Sequence, residues 1–401
     1  MKKLFLSFLI SLLSIPVLAV EFENGEFKAN IYGEIYADAF YSYGGDGYDL
    51  GLGGLIFGNH QNAFGSQAFA GSSLLGVELT YKDVTGTFEA GLSDPVRRFL
   101  LTYRIKGNED HYLVFGRDTT IAAYSFGQVS NDFQALNDYG TLADNRRLQV
   151  RYGIKGFELA VIIPSLGGGW NSDNTDDIGY TMEVSDNDGN PIYDVSNGVF
   201  MVLPRVEAAY TYTNDNLEFK VFGAYGAYMY DAQEYYTVDN DDYFTGVSNG
   251  KRTVAHSFNI GIGGQADFGN SFLQFTGWYG MNLNLMTALE NYSNILTMTK
   301  NVNGLYELTM NEVHSAGAAI GFGHTIADRY TPQIGIGWTA NFGPGYSQAD
   351  DSLGAYINCV ININDWFSIT PEIAYLNNLK DGNGDSEGYS IVAGVQALLT
   401  F

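Results

Sequence analysis

The chain has 401 residues, a formal net charge of −25 and a single cysteine, Cys359. This acidic balance argues against nucleic acid as a partner, because phosphate backbones bind to basic surfaces, and one cysteine excludes an intramolecular disulfide framework. Only 16% of the residues are charged, whereas Tyr and Phe number 29 and 26 and Gly 49. Since neither a linker nor a change in composition divides the sequence, we expect one continuous architecture rather than separate domains.

The first 19 residues predict a secretory signal peptide. Lys2 and Lys3 supply the positive start, residues 4–17 the apolar stretch, and Ala19 the end of a small-residue cleavage site. The mature protein is therefore expected to begin at Val20, to be exported, and to form a single domain over residues 20–401. No later segment approaches the roughly 18 consecutive apolar residues of a transmembrane helix, so the sequence predicts no spanning helix.

From residue 27 onward the sequence repeatedly alternates apolar and polar residues, which is the pattern of β-strands. Segment 27–43 is long for a strand of a soluble protein, and segment 388–401 carries aromatic residues, Tyr389 and Phe401, at its two ends. Long amphipathic strands flanked by aromatic residues are typical of barrels that cross a membrane.

Sixteen such segments are predicted, at 27–43, 68–82, 86–93, 97–106, 110–118, 145–154, 157–163, 202–213, 216–227, 252–266, 270–281, 312–325, 330–342, 353–363, 366–376 and 388–401. Short turns alternate with longer connections near 44–67, 119–144, 164–201, 228–251, 282–311, 343–352 and 377–387. Turns at one end and loops at the other predict an all-β, antiparallel transmembrane barrel. Sixteen strands enclose an aqueous lumen instead of a packed core.

Four segments and the last residue carry a family resemblance. They are 30–35 with its Tyr-Gly pair, 74–79, 113–118 with Phe-Gly-Arg, 144–152, and the C-terminal Phe401. In this order and spacing they resemble the general Gram-negative porins, the family of trimeric diffusion channels. The third loop departs from the family because it lacks the short Pro-Glu-Phe-Gly-Gly-type tip of some members.

The resemblance implies a homotrimer in the cell outer membrane, surrounded by outer-membrane lipid and lipopolysaccharide. Such a porin lets small hydrophilic solutes and ions diffuse passively, and it needs neither a catalytic residue nor a cofactor. The resemblance also implies that the third loop, within 119–145, folds into the lumen and narrows it. That loop offers Asp132 and Asp138 and contains no Lys or Arg between Thr119 and Asn145.

Alternation assigns side chains near this loop to the lumen. Because Phe99, Leu101 and Tyr103 are expected to face lipid, Arg98 and Arg104 should face inward. The predicted pore constriction therefore sets Asp132 and Asp138 against a basic wall of Arg98, Arg104, Arg117, Arg147 and Arg151. Opposed charges across a narrow passage create a transverse field that favours small polar solutes. The alternative is that some of these arginines lie above the constriction and bind lipopolysaccharide phosphates or loop carboxylates.

The longer connections are strongly acidic, with seven carboxylates and no Lys or Arg between residues 165 and 200. A negative vestibule attracts cations, which favours weak cation selectivity, whereas a basic wall favours the opposite sign. Segments around Asp186 and Asp188, and around Asp381, Asn383 and Asp385, space oxygen ligands at every second residue, as Ca²⁺ loops do. We interpret both segments mainly as solvated turns, with Ca²⁺ binding as the alternative.

Three other functional classes would each require a different pattern of residues. The five histidines show no spacing typical of a nucleophile or a metal site, so the sequence does not predict an enzyme. A substrate-specific channel for sugars or anions stays open, because Tyr32, Tyr36 and Phe40 would form a short inward row of aromatic residues. A surface receptor with a structural barrel is the third class, although the loops are too short to form domains.

Overall fold

The computed structural model describes residues 20–44, 55–59, 62–68, 73–91, 95–126, 136, 139–142, 146–162, 184–185, 191–192, 199–238, 243–283, 295–300, 306–344 and 346–401. Asp132, Asp138, Asp186, Asp188 and the predicted signal peptide lie outside the described residues. Within these ranges no helix is long and apolar enough to cross a lipid bilayer. A short 3-10 turn occupies Ile105–Gly107.

The strands, numbered in chain order, are β1 (Val20–Asn24), β2 (Phe27–Gly44), β3 (Leu55–Asn59), β4 (Asn62–Ala68), β5 (Leu74–Tyr81), β6 (Val84–Gly91), β7 (Arg98–Arg104), β8 (His111–Thr119), β9 (Arg146–Ile154), β10 (Phe157–Ile162), β11 (Val184–Ser185), β12 (Pro191–Ile192), β13 (Val199–Asn214), β14 (Leu217–Val238), β15 (Tyr243–Phe268), β16 (Ser271–Met281), β17 (Ile295–Lys300), β18 (Tyr306–Asn311), β19 (His314–His324), β20 (Tyr330–Phe342), β21 (Asp350–Asn364), β22 (Phe367–Lys380) and β23 (Tyr389–Thr400).

Sixteen of these strands form a closed antiparallel barrel, which confirms the predicted fold class. Around the wall the order is β2, β5 to β10, β13 to β16 and β19 to β23. Strand β23 pairs with β2 from Thr400 opposite Glu34 to Ser390 opposite Gly44, and this pairing closes the sheet. Each wall strand overlaps one of the sixteen predicted segments, because period-two alternation and turn residues both mark them.

Parts of the predicted long loops are strands instead. Strands β14 and β15 stay paired as far as Val238 opposite Tyr243, so the connection predicted near 228–251 is largely a hairpin. Shorter hairpins, β3–β4 and β17–β18, lie within two other predicted loops. Residues 228–238 and 243–247 include several Tyr, Thr and Val residues, which favour strands, and pairing satisfies their backbone hydrogen bonds.

Alternate residues of the wall face opposite sides. Phe99, Leu101 and Phe115 are 63%, 51% and 57% exposed, whereas Leu100 and Val114 between them are 7% and 3% exposed. The exposed face is apolar around the wall, and the opposite face carries carboxylates, amides and guanidinium groups. The barrel therefore turns an apolar face outward and a polar face inward, as barrels in lipid do.

Inward-facing aromatic rings pack over glycines of the neighbouring strand. Six directly paired positions combine such a ring with a glycine, namely Tyr32–Gly76, Tyr112–Gly153, Phe222–Gly261, Phe272–Gly323, Trp278–Gly317 and Tyr356–Gly335. A Cβ atom at any of these glycines would overlap the paired ring. The missing side chain allows each ring to approach the backbone closely, so large residues take little space from the lumen.

Replacing Gly153 by Ala should displace the Tyr112 ring, because the new Cβ atom would overlap it. The displaced ring loses its hydrogen bond to Glu158, and we expect the free energy of unfolding to fall by about 1–2 kcal/mol. Urea unfolding of the refolded barrel measures this change. Gly277→Ala is the matched control, since nothing lies within 4 Å of a Cβ atom there. An equal loss in both variants would contradict the role of the ring.

Candidate pore lining

Five charged side chains form a continuous network on the inner face of β6 to β10, which we call the charge belt: Glu89, Arg98, Asp118, Arg151 and Glu158. Arg98 donates from Nη1 to Glu89 Oε1 at 3.0 Å and from Nε to Asp118 Oδ1 at 2.9 Å. Arg151 donates from Nη2 to Asp118 Oδ2, and its Nη1 lies 3.5 Å from Glu158 Oε1. Each member comes from a different strand, so the belt crosses five neighbouring strands.

Two tyrosines complete the belt at its ends. Tyr32 on β2 donates its hydroxyl to Glu89 Oε1 at 2.8 Å, and Tyr112 on β8 donates to Glu158 Oε1 at 2.8 Å. These are the tyrosines that pack over Gly76 and Gly153. Glu89 therefore accepts hydrogen bonds from Arg98 and Tyr32, whereas Glu158 accepts one from Tyr112 and forms an ion pair with Arg151. The aromatic–glycine pairs fix the positions of the two tyrosines.

The charges in and beside the belt nearly cancel. The belt holds three carboxylates and two guanidinium groups, and Arg147 lies directly opposite Asp118 in the register of β8 and β9. The belt and Arg147 together therefore contain three carboxylates and three arginines. An ion in the lumen would meet paired charges rather than a wall of one sign, because pairing at about 3 Å offsets most of each group's field at a distance.

The five arginines predicted to line the constriction differ in position and in hydrogen-bond partners. Arg98 and Arg151 belong to the belt, Arg147 is on the same inner face, and Arg104 donates to Thr85 Oγ1 at 2.8 Å. Arg117 differs, because it pairs with Phe99 and Leu148, which point outward. The expectation that Arg117 faces the lumen is therefore corrected. The role of the other four arginines in a constriction stays a prediction.

The described residues that follow β8 contact the inner wall. Glu207 on β13, which is 0% exposed, accepts hydrogen bonds from the Thr120 hydroxyl at 2.6 Å and the Ile121 backbone N–H at 2.8 Å. Arg205 forms an ion pair with Glu207 and donates to Thr120 Oγ1 at 2.9 Å. The start of the third loop is thereby fixed to a strand on another part of the wall.

Further wall residues hold this loop by its backbone carbonyl groups. Lys220 donates to Ala123 O at 3.0 Å, Asn259 to Ala122 O at 2.7 Å and Trp278 to Gly140 O at 3.0 Å. Two buried clusters join apolar loop residues, among them Ile121, Leu136 and Leu142, to inward side chains of the wall. The path of the complete loop across the lumen stays a prediction, because Asp132 and Asp138 lie outside the described residues.

The expected inward row of aromatic residues is not an open row. Tyr32 is bound to Glu89, and Tyr36 donates its hydroxyl to Glu34 Oε2 at 2.7 Å. Phe40 is 2% exposed and belongs to the buried cluster that contains Leu136. Since Phe40 is covered, these three side chains do not present a continuous stacking surface for a sugar.

The second Ca²⁺ candidate is a turn built around one carboxylate. Asp381 Oδ1 accepts hydrogen bonds from the backbone N–H groups of Asp385 at 2.8 Å and Asn383 at 2.9 Å. The N–H of Asp385 foremost, then those of Asn383 and Gly384, hold the pKa of the Asp381 carboxyl below its ordinary value. Among the described residues no three His, Cys, Asp or Glu side chains form a group that could hold a metal ion. Ca²⁺ binding here stays a prediction.

The histidines of the described chain bond to hydroxyl groups of neighbouring strands. His111, His256 and His314 contact the hydroxyls of Tyr152, Tyr225 and Tyr279, and His324 contacts Ser271. These histidines share the outward face with the apolar residues of their strands. Their contacts are therefore those of the outer surface, not of the pore lining.

No protein-family model and no curated protein matches this chain. Among solved structures, the outer membrane channel DcaP of Acinetobacter baumannii is 15% identical over 96% of this chain and 100% of that chain, with a TM-score of 0.62. The anion-selective porin from Comamonas acidovorans is 11% identical over 94% and 100%, with a TM-score of 0.53. The trimer form of OmpT of Vibrio cholerae is 14% identical over 94% and 99%, with a TM-score of 0.50. These likenesses show that the chain has the fold of a porin-type barrel.

Replacing Glu207 by Gln should lower the free energy of unfolding by about 2–4 kcal/mol, because a buried negative charge beside Arg205 is lost. The third loop should also become more accessible to protease. Urea unfolding and limited proteolysis of the refolded barrel measure both effects. Glu26→Gln is the matched control, since its ion pair with Lys82 is exposed and such pairs contribute about 0–1 kcal/mol. Similar small changes in both variants would rule out the anchoring role of Glu207.

Proposed function

We propose that the chain is an outer-membrane porin, a water-filled channel through which small hydrophilic solutes and ions diffuse passively. The observation that carries the proposal is the distribution of charge in the barrel. The inner face of the sixteen-stranded wall is polar and carries the charge belt on β6 to β10, while the outer face is apolar. Charged groups are costly to remove from water even when they are paired, and the Arg98 side chain is 34% exposed on the inner face despite its two carboxylate partners, so a hydrated lumen best explains this inner wall.

We further propose a weak preference for cations. The belt and Arg147 balance each other, so the inner wall near them favours neither sign strongly. The remaining excess of negative charge lies in the acidic connections, which raise the local cation concentration at the mouth of the pore. This effect is screened at high salt, so the preference should increase as the ionic strength falls.

The lengths of the wall strands support a homotrimer. Strands β5 to β10 have 6 to 9 residues, whereas β13 to β16 and β19 to β23 have 11 to 26. A tilted strand of seven residues rises only about 18 Å, less than the apolar band of about 25 Å that a barrel presents to lipid. The low side of the wall, with exposed Phe99, Leu101 and Phe115, would be covered by neighbouring copies.

The same proposal assigns the partners and excludes catalysis. Outer-membrane lipid and lipopolysaccharide would surround the taller part of the wall, and the solutes would be small polar molecules and ions. We propose no enzymatic activity and no required cofactor, because the belt residues and the described histidines are engaged in pairing contacts. A receptor or a dedicated sugar channel has no specific observation in its favour.

Single-channel recording of the refolded mature protein in planar bilayers tests this function. We expect stable ohmic steps that appear in groups of three, as a trimer of separate pores would give. A salt gradient should give a small reversal potential of the cation-selective sign, larger at low ionic strength. Folded protein that produces no conductance would contradict the open pore, and an anion-selective sign would contradict the cation preference.

A further inference from the structure

We propose that Asp118 sets the ion preference of the pore by neutralising the two belt arginines, which lie between its carboxylate and the lumen. The proposal rests on the proposed channel function and names the residue that tunes it. Asp118 is the last residue but one of strand β8 and lies at the centre of the belt, with one guanidinium group on either side. It assigns a part in selectivity to a buried carboxylate of the wall, whereas the constriction predicted from the sequence takes its acidic side from the loop aspartates Asp132 and Asp138.

The first observation in support is that the Asp118 carboxylate binds two arginines, one with each oxygen. Its Oδ1 binds Arg98 Nε at 2.9 Å and its Oδ2 binds Arg151 Nη2. Glu89 and Glu158 each bind one arginine and one tyrosine. Asp118 is therefore the belt carboxylate that offsets two positive charges, and its removal affects both arginines at once.

The second observation in support is that the Asp118 carboxylate is more buried than the two arginine side chains that it binds. The side chain of Asp118 is 2% exposed, whereas those of Arg151 and Arg98 are 13% and 34% exposed. An ion in the lumen thus approaches the guanidinium groups first, and Asp118 acts on it through them. If the carboxylate is removed, the arginine N–H groups that it held can turn to the lumen, where they form an anion-binding surface.

The third support is the local charge balance. Arg147 lies opposite Asp118, so the belt and Arg147 together contain three carboxylates and three guanidinium groups. Loss of the Asp118 charge leaves two carboxylates against three arginines, and this group of side chains changes from balanced to net positive.

The test is the reversal potential of Asp118→Asn measured on the full mature protein in a KCl gradient. One charge within about 8 Å of the ion path, at an effective dielectric constant between water and protein and with salt screening, changes the permeability ratio about two- to fourfold. We expect the cation-to-anion ratio to fall by that factor. Glu109→Gln is the matched control, because it removes the same charge from an exposed turn and should leave the ratio unchanged.

A second variant tests whether the freed arginine causes the shift. Adding Arg98→Gln to Asp118→Asn restores the charge balance, and we expect the ratio to return toward that of the wild-type protein. Should Asp118→Asn fail to fold, Glu89→Gln takes its place, since it releases Arg98 from its other carboxylate. That variant should shift the ratio in the same direction by a smaller factor.

The outcomes separate the two proposals. A conducting Asp118→Asn channel with an unchanged ratio would overturn the role of Asp118 but leave the porin function intact. A shift of equal size in Glu109→Gln would overturn it as well, because the effect would then be one of total charge. Absence of conductance from the folded wild-type protein would instead overturn the proposed function.

Discussion

The pairing of β23 with β2, the last and first strands of the barrel wall, is the contact on which the rest of the structure depends. Phe401 and Gly33 exchange backbone hydrogen bonds of 2.8 and 3.0 Å, and β23 then follows β2 to its far end. In lipid every backbone polar group must find a partner within the protein, so a sheet without closure would not be stable there. Closure also creates the two faces, one apolar and one polar, from which the lumen follows.

The inner face combines two requirements that oppose each other. A hydrated lumen needs polar side chains, but charged groups held partly out of water are costly unless they are paired. The charge belt meets both, since its carboxylates and arginines neutralise one another on neighbouring strands. Glu207 does the same for the third loop, where it replaces the water that Thr120 and Ile121 would otherwise bind. We therefore propose that the selectivity of this barrel depends on small imbalances among paired charges.

The sequence predicted the barrel well because its signal is local. Alternation and turn residues can be read within one segment, and each of the sixteen predicted segments overlaps a wall strand. The inward direction of Arg98 followed from the bulk of Phe99 and Leu101 in the same way. The extended hairpin of β14 and β15 was missed, because its acidic residues resemble those of a solvated loop.

The site was less predictable because its contacts join distant segments. Glu89, Asp118 and Glu158 lie on three different strands, and the relative register of those strands decides which arginine each meets. Arg117 was assigned to the wrong face, although its spacing from Leu113 and Phe115 is even and places all three on one side. This even spacing in the sequence is sufficient to predict that Arg117 lies on the outward face. The anchoring of Thr120 by Glu207 had no such signal, since 87 residues separate them.

Site-specific labelling tests the central claim, that one face of the wall lines water and the other is shielded from water by lipid or by neighbouring copies. Single cysteines would be placed at adjacent positions, Thr102 and Leu101 on β7 and Gln333 and Ile334 on β20, in a Cys359→Ala background reconstituted in lipid vesicles. We predict that a membrane-impermeant maleimide labels T102C and Q333C quickly, and that L101C and I334C react only with an apolar reagent. Equal or reversed reactivity within either pair would contradict the account.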